Sequence, residues 1–291
     1  MKNKKTYIPC VLIAIILVFS MLGTGICIIS NKVILNENTC IKIIDEKDLT
    51  SKTRNYIEKT FNEKYNSTGI PPEVYMNSIS QEWLDDIIKN RISNAFLYVK
   101  NQSEYSKDID FDALDASITN FFENYADENG YIKDSSYNDK LKKEIDTAHK
   151  IINSSADIFK TDTLYDRGVF NQVRRYIGYL EKLTYLFVIA DIICIIMLLL
   201  LCIKNIRDIL YWLGISFIIS GIIGLVPCVY ITSSDYFDAF VIKQEQIFTA
   251  FTTFMYRITD SFTVFEIALL AFGVLEIIIH TIINRIKKYN S

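Results

Sequence analysis

Histidine is scarce in this chain of 291 residues, which has only two, His149 and His280. The sequence also contains no HExxH, no GxSxG and no glycine-rich phosphate loop. Because no cysteine or histidine constellation lies outside the apolar runs, covalent catalysis has no candidate residues. The sequence therefore predicts no enzyme, no cofactor, and no catalytic or cofactor-binding residue.

A calcium site is excluded on similar grounds. The segment DENGYI at 127–132 matches the middle of an EF-hand loop. The two ends do not match, because Tyr125 would be the first ligand and Ser136 the twelfth. Gly130 as the C-cap of a helix explains the same residues. We therefore predict no metal-binding residue.

The six cysteines indicate no disulfide framework. Cys40 is the one cysteine outside the apolar runs, which hold the other five. Within apolar segments a cysteine behaves as a small hydrophobic residue. A pairing of Cys40 with Cys228 is the alternative that the sequence leaves open.

Four long apolar runs account for the high hydrophobic content of 50%. They cover residues 7–29, 183–203, 209–231 and 263–283. Helices of 21 to 23 residues are long enough to cross a hydrocarbon core of about 30 Å. The first run is longer than the ~7–15 residues typical of the apolar region of a signal peptide, so we interpret it as an anchor.

The charges between the runs predict the topology. Segments 1–6, 204–208 and 284–291 together carry eight basic residues and one acidic residue. By the positive-inside rule we expect all three to be cytoplasmic. Segments 30–182 and 232–262 then lie outside a cell membrane.

Residues 30–182 form the large hydrophilic segment, and their pattern is helical throughout. Residues 45–65 show helical spacing of apolar residues and stop before Gly69, and Pro71-Pro72 open a short helix. Ser80 and Asp110 are candidate N-caps, and Gly130 is a candidate C-cap. A polar helix follows over 135–159. A last helix begins at Asp166 or Gly168 and should continue without a break into the second span.

The predicted fold class is therefore all-α. The chain is expected to be a four-transmembrane-helix membrane protein, with one span before and three spans after an α-helical extracytoplasmic domain.

Residues 232–262 form a second extracytoplasmic segment. Large apolar residues recur there at spacings of three and four, which predicts an amphipathic helix. Such a helix can lie on the bilayer surface or cover the outer domain. Because the polar face is not rich in lysine or arginine, the covering role is favoured.

Ionisable residues inside the apolar runs are the candidate functional residues, because burying them in a bilayer is costly. Glu276 and His280 are four residues apart on one helix face, close enough to share a hydrogen bond. The candidate intramembrane polar cluster comprises Asp191, Ser216, Ser220, Glu276 and His280. Such a cluster can conduct protons, or it can simply hold helices together. Thr263 and Glu266 fit a capping box at the start of the fourth span, which gives Glu266 a structural explanation.

The order of one span, a large hydrophilic domain and three spans is similar to that of FtsX-like and MacB-like permease subunits. The similarity covers topology only and includes no motif. The inner segments are too short for the coupling helix of such subunits, and the outer domain is helical where theirs is mixed.

Two hypotheses follow. In the first, the outer domain binds a protein or an envelope component, and the spans anchor it in the lipid bilayer. In the second, the chain is a transporter or permease component that uses Asp191, Glu276 and His280. Acidic residues outnumber basic ones by 26 to 21 over 31–182, so nucleic acid is not a predicted partner. The sequence predicts no oligomeric state.

Overall fold

The computed structural model describes residues 4–205 and 207–289. It is 85% helical and contains no strand within those residues, so the predicted all-α class is confirmed. Residues 1–3 of the predicted N-terminal segment, residue 206 of the predicted turn and residues 290–291 of the predicted tail lie outside the described residues.

Eleven α-helices follow one another along the described part of the chain. They are α1 (Lys4–Ile29), α2 (Glu37–Glu46), α3 (Leu49–Thr68), α4 (Pro72–Met76), α5 (Gln81–Val99), α6 (Asp112–Asn129), α7 (Ser135–Ala156), α8 (Thr161–Asp166), α9 (Val169–Leu201), α10 (Arg207–Ser233) and α11 (Glu245–Tyr289). A π-helical turn, Ser30–Ile34, follows α1, and short 3₁₀ turns occupy Ile203–Asn205 and Tyr236–Ala239.

The chain divides into two compact units. The four-span unit is drawn from Met1–Asn36, Tyr176–Val241 and Met255–Ser291, and the bundle unit from Glu37–Arg175 and Ile242–Phe254. Helices α9 and α11 each contribute residues to both units.

Four helices are long and apolar enough to span a membrane. The candidate spans are Thr6–Ile34, Val169–Leu201, Arg207–Ser233 and Glu245–Ile286. Large apolar side chains such as Ile8, Leu186, Ile223 and Leu275 are exposed on them, as expected of helices that face lipid rather than water. These features fit a multi-pass membrane protein.

The bundle unit buries a separate apolar core. Its members come from α2 to α7, from the segment after α7, and from α11; among the largest are Ile43, Ile57, Phe61, Tyr75, Leu84, Ile88, Leu114 and Ile118. Segment Ile242–Phe254 belongs to this unit because Ala250 lies within the core and the ring of Phe254 packs on Phe159 at 6.3 Å. The segment predicted to cover the outer domain thus contributes its 242–254 part to the bundle core.

Several local signals of the sequence are confirmed. Ser80 Oγ accepts a hydrogen bond from Trp83 N at 3.1 Å, which makes Ser80 the N-cap of α5. Gly69 and Gly130 end α3 and α6 with φ of 72° and 66°, a conformation that glycine adopts without steric cost. Helix α9 begins directly after Gly168 and continues unbroken to Leu201, as predicted.

The expected helix over 45–65 is wrong at its start. Helix α2 ends at Glu46 and α3 begins at Leu49, because Asp48 adopts a left-handed conformation with φ of 49°. Aspartate tolerates this region better than most residues. The alternative disulfide is also wrong, since Cys40 and Cys228 are both free thiols.

The predicted division between an amphipathic helix over 232–262 and a fourth span over 263–283 is corrected as well. Helix α10 continues to Ser233, and α11 runs from Glu245 to Tyr289 without a break. Thr263 lies inside α11, where its hydroxyl donates to the carbonyl of Thr259 at 2.9 Å. No helix starts there, so Thr263 and Glu266 do not form a capping box. Both residues have the right types for a box, but the chain before them contains no helix breaker.

The buried ring pair of Phe61 and Tyr75 stabilises the bundle unit. The rings stack at 4.0 Å with an interplanar angle of 5°. We expect Phe61→Ala to lower the free energy of unfolding of this unit by about 3–5 kcal/mol, because it opens a cavity in the core. Tyr65→Ala, one helical turn further along α3 and half exposed, is the control and should change it by less than about 0.5 kcal/mol.

The two tryptophans allow each unit to be followed separately. Trp83 lies in the bundle unit and Trp212 in the four-span unit. In a Trp212→Phe background, denaturation monitored by Trp83 fluorescence reports on the bundle unit alone. Equal effects of Phe61→Ala and Tyr65→Ala would contradict the stacked core.

Candidate functional site

Three of the four spans enclose a common apolar core. Its buried members are Cys10, Ile13, Ala14 and Leu17 of α1, Cys194 and Leu198 of α9, Cys202, and Ile209, Trp212 and Leu213 of α10. The candidate polar residues lie on α9, α10 and α11. Hydrogen bonds to other spans place Asp191, Ser216 and His280.

Asp191 of α9 pairs with α1. Thr24 Oγ1 donates to Asp191 Oδ2 at 2.7 Å. One turn away, Ser20 Oγ donates to the carbonyl of Phe187 at 3.1 Å. Within the described residues, the other carboxylate oxygen of Asp191, Oδ1, is buried and has no hydrogen-bond partner. The polar contact between α1 and α9 therefore provides a hydrogen bond to only one of the two oxygens of this carboxylate.

Ser216 and Ser220 are both completely buried on α10. Ser216 Oγ donates to the carbonyl of Trp212 at 2.9 Å and lies 3.4 Å from the carbonyl of Ala14. The hydroxyl of Ser220 has no hydrogen-bond partner among the described residues. The contact with Ala14 places Ser216 on the side of α10 that packs against α1.

His280 belongs to a closed network at the end of the α10–α11 pair. Its Nδ1 donates to the carbonyl of Arg207 at 2.7 Å, and its Nε2 accepts from Asn284 Nδ2 at 2.7 Å. Arg207 Nη1 in turn donates to Asn284 Oδ1 at 2.6 Å. A carbonyl can only accept and an amide NH₂ can only donate, so this arrangement requires a neutral ring with its proton on Nδ1.

The expected hydrogen bond between Glu276 and His280 is therefore absent. Both ring nitrogens of His280 are occupied by Arg207 and Asn284, and in the described structure Glu276 Oε2 is buried without a partner. No two of the five predicted cluster residues are hydrogen-bonded to each other within residues 4–205 and 207–289. Whether these residues have a function stays a prediction.

Glu266 is the intramembrane carboxylate whose role the sequence explained wrongly. It is only 2% exposed, and its side chain lies directly on Gly224 of α10. A Cβ atom at Gly224 would collide with both Cδ and Oε1 of Glu266. The missing side chain at position 224 is therefore what leaves space for the carboxylate.

Glycine allows the same close approach along the whole α10–α11 pair. Cβ atoms at Gly214 and Gly221 would lie 2.9 Å and 3.0 Å from backbone oxygens of α11. A Cβ at Gly273 would lie 2.7 Å from the carbonyl of Gly214. Small residues at such positions let transmembrane helices pack backbone to backbone.

The residues of α11 along its contact with α10 recur in the sequence at a regular spacing. They are separated by four, three, four, three and four residues, which is the repeat of a helix–helix interface: Glu266, Leu270, Gly273, Ile277, His280 and Asn284.

A second polar cluster, in the bundle unit, was missed by sequence reasoning. Arg91 is buried on α5 and donates to the carbonyl of Asn153 at 2.9 Å and to Asp162 Oδ2 at 3.2 Å. Tyr105 donates to Asp162 Oδ1 at 2.5 Å. The signal was available, because Arg91 occupies the apolar stripe three residues after Ile88.

The neighbouring Asp157 holds the start of α8. Its Oδ1 accepts from Thr161 N at 2.6 Å and from Thr161 Oγ1 at 2.9 Å. Burial raises the pKa of the Asp157 carboxyl, and the charge of Asp162 raises it further. The cluster joins α5, α7 and α8, so its evident role is structural.

No protein-family model, curated protein or solved structure matches the chain. The residues themselves must therefore carry any functional argument.

Gly224 provides a test of the seam between α10 and α11. We expect Gly224→Ala to lower the free energy of unfolding of the four-span unit by about 1–3 kcal/mol, because the new methyl group collides with Glu266. Gly178→Ala is the matched control, since a Cβ there meets nothing within 4 Å. Adding Glu266→Ala to Gly224→Ala should restore part of the loss. Denaturation in detergent, followed by Trp212 fluorescence in a Trp83→Phe background, measures both effects, and no rescue would contradict the contact.

The pairing of α1 with α9 is tested at Thr24. Thr24→Val keeps the shape of the side chain but removes the donor to Asp191, so we expect a loss of about 0.5–2 kcal/mol in the same assay. Thr24→Ser keeps the hydroxyl and should lose less. Equal losses for the two variants would show that the hydrogen bond does not contribute.

Proposed function

We propose that this chain is an integral protein of the cell membrane whose bundle unit lies outside the cytoplasm and binds a protein or an envelope component. The four-span unit serves as its anchor in the lipid bilayer. Both termini and the turn between α9 and α10 are cytoplasmic in this proposal.

The observation that carries this proposal is the contrast between the two units. The bundle unit has a closed apolar core of its own, whereas the four-span unit exposes apolar side chains. Within the four-span unit, Asp191, Ser216 and His280 are hydrogen-bonded to neighbouring spans. These bonds are typical of groups that hold helices together, which favours an anchor and leaves recognition to the bundle unit.

The orientation is supported by charge. The basic residues of segments 1–6, 204–208 and 284–291 all belong on one side of the membrane, because α1, α9, α10 and α11 follow one another as four successive spans. The bundle unit then lies on the opposite side.

A transporter or permease component is the second candidate. One observation favours it: in the described residues, one oxygen each of Asp191, Glu266 and Glu276 is buried without a hydrogen-bond partner. An unpaired buried oxygen is costly, and carriers use such carboxylates for coupled ions. This candidate requires function to depend on the carboxylates, whereas the first does not.

The two candidates are separated by crosslinking on intact cells with a membrane-impermeant, amine-reactive reagent. If the bundle unit binds a partner outside, its exposed lysines, such as Lys140, Lys142 and Lys150, should form a discrete heterologous product. Lysines of segments 204–208 and 284–291 should stay unmodified. Because the carboxylate is not needed for binding, Glu276→Gln should give the same yield within about twofold.

Other outcomes decide against the proposal. Modification of the lysines in the basic segments instead of those in the bundle unit would show that the chain has the opposite orientation in the membrane. Absence of any crosslinked product would contradict the binding proposal. Failure of Glu266→Gln or Glu276→Gln to complement a deletion of the chain would then favour the carrier.

A further inference from the structure

The turn between α6 and α7 exposes large apolar side chains. Helix α6 ends at Asn129 and α7 begins at Ser135, with Gly130 reversing the chain at φ of 66°. Tyr125, Tyr131 and Ile132 are 52%, 61% and 81% exposed. We call these three residues the aromatic tip.

The aromatic tip is unusual within its own unit. Among the described residues of the bundle unit, the other exposed large apolar side chains are Tyr65 and Leu97. Three of the five therefore lie together at one hairpin, although this unit has a core into which apolar side chains can be buried. A contiguous exposed apolar surface on an otherwise well-packed domain is typical of an interaction site.

The rings of the aromatic tip are held in place by one another. Tyr125 and Tyr131 stack at 5.9 Å with an interplanar angle of 14°. Phe121 stacks on Tyr125 at 6.2 Å and 21°, and Phe121 itself packs against the bundle core. Because the rings are already ordered, a partner that binds them loses little side-chain entropy.

The charges around the aromatic tip define the partner that fits it. The turn and the helix ends beside it, residues 121–135, carry four acidic residues and one basic residue, and the exposed Lys140, Lys142 and Lys143 follow further along α7. The basic residue of the turn, Lys133, is already paired with Asp127 at 2.8 Å. Tyrosine rings attract lysine and arginine through their π faces, and the surrounding carboxylates add charge complementarity. The same carboxylates repel anionic lipid and nucleic acid.

We propose that the aromatic tip is the docking surface for a basic segment of a protein partner, one that presents arginine or lysine beside apolar side chains. This inference rests on the proposed function, because it names the surface of the bundle unit that meets the partner.

The first experiment measures a defined probe on the full chain in detergent. The probe is a fluorescent peptide of alternating arginine and leucine, compared with a peptide that has glutamate in place of arginine. We expect the arginine peptide alone to bind. Tyr131→Ala combined with Ile132→Ser should weaken its binding at least about tenfold, whereas the matched control Tyr65→Ala combined with Leu97→Ser should not. Equal weakening by both double variants, or no weakening, would overturn the docking surface.

The second experiment applies the tip variant to the crosslinking assay on intact cells. Loss of the heterologous product in Tyr131→Ala/Ile132→Ser, with the product retained in Tyr65→Ala/Leu97→Ser, supports the docking surface. Retention of the product in the tip variant would overturn the surface but leave the proposed function intact. Absence of any product in the native chain would overturn the proposed function itself.

Two further outcomes would also overturn the inference. A crosslinked product that contains two copies of this chain would show that the aromatic tip is a self-association surface. Binding of the full chain, reconstituted in phosphatidylcholine nanodiscs, to phosphatidylglycerol vesicles in place of the arginine peptide, if lost in the tip variant, would identify a lipid surface as the ligand.

Discussion

The structure depends on the cost of an unpaired polar group in a hydrocarbon environment. Four helices satisfy their backbone groups internally, so the remaining problem is the polar side chains within them. Asp191 takes a hydroxyl donor from Thr24, and His280 takes one partner from α10 and one from its own helix. The bonds from Thr24 to Asp191 and from His280 to Arg207 each require two particular helix faces to meet, so these polar groups also favour particular pairs of neighbouring spans.

In the network around His280, each hydrogen bond fixes the orientation of the next polar group. The guanidinium of Arg207 can only donate, so it fixes the orientation of the Asn284 amide. That amide then presents its NH₂ to His280 and so fixes the ring tautomer. The remaining ring proton is directed at the backbone of α10. Both ring nitrogens of His280 are thereby engaged, one with the backbone of α10 and one with Asn284 of its own helix.

Much of the fold could be predicted from the sequence because its signals are local. Span lengths, the Ser80 cap and the glycine C-caps each depend on a few consecutive residues. The partners in the candidate site could not be predicted in this way, since Thr24 and Asp191 are 167 residues apart. Local patterns also misled: Thr263 and Glu266 had the residue types of a capping box, but α11 is continuous there. Spacing alone cannot distinguish a helix start from a helix interior when no breaker precedes it.

The intramembrane polar groups and the aromatic tip depart in opposite ways from the usual placement of polar and apolar side chains. Polar residues in the spans are costly to place, and three of them, Asp191, Ser216 and His280, are hydrogen-bonded to a neighbouring span. Tyr131 and Ile132 are costly in the opposite sense, because they hold apolar surface in water while a packed core lies within the same unit. Helix packing accounts for those three hydrogen-bonded groups, but it does not account for the exposure of Tyr131 and Ile132. A binding partner that covers the stacked rings would remove that cost, as the proposed docking surface requires.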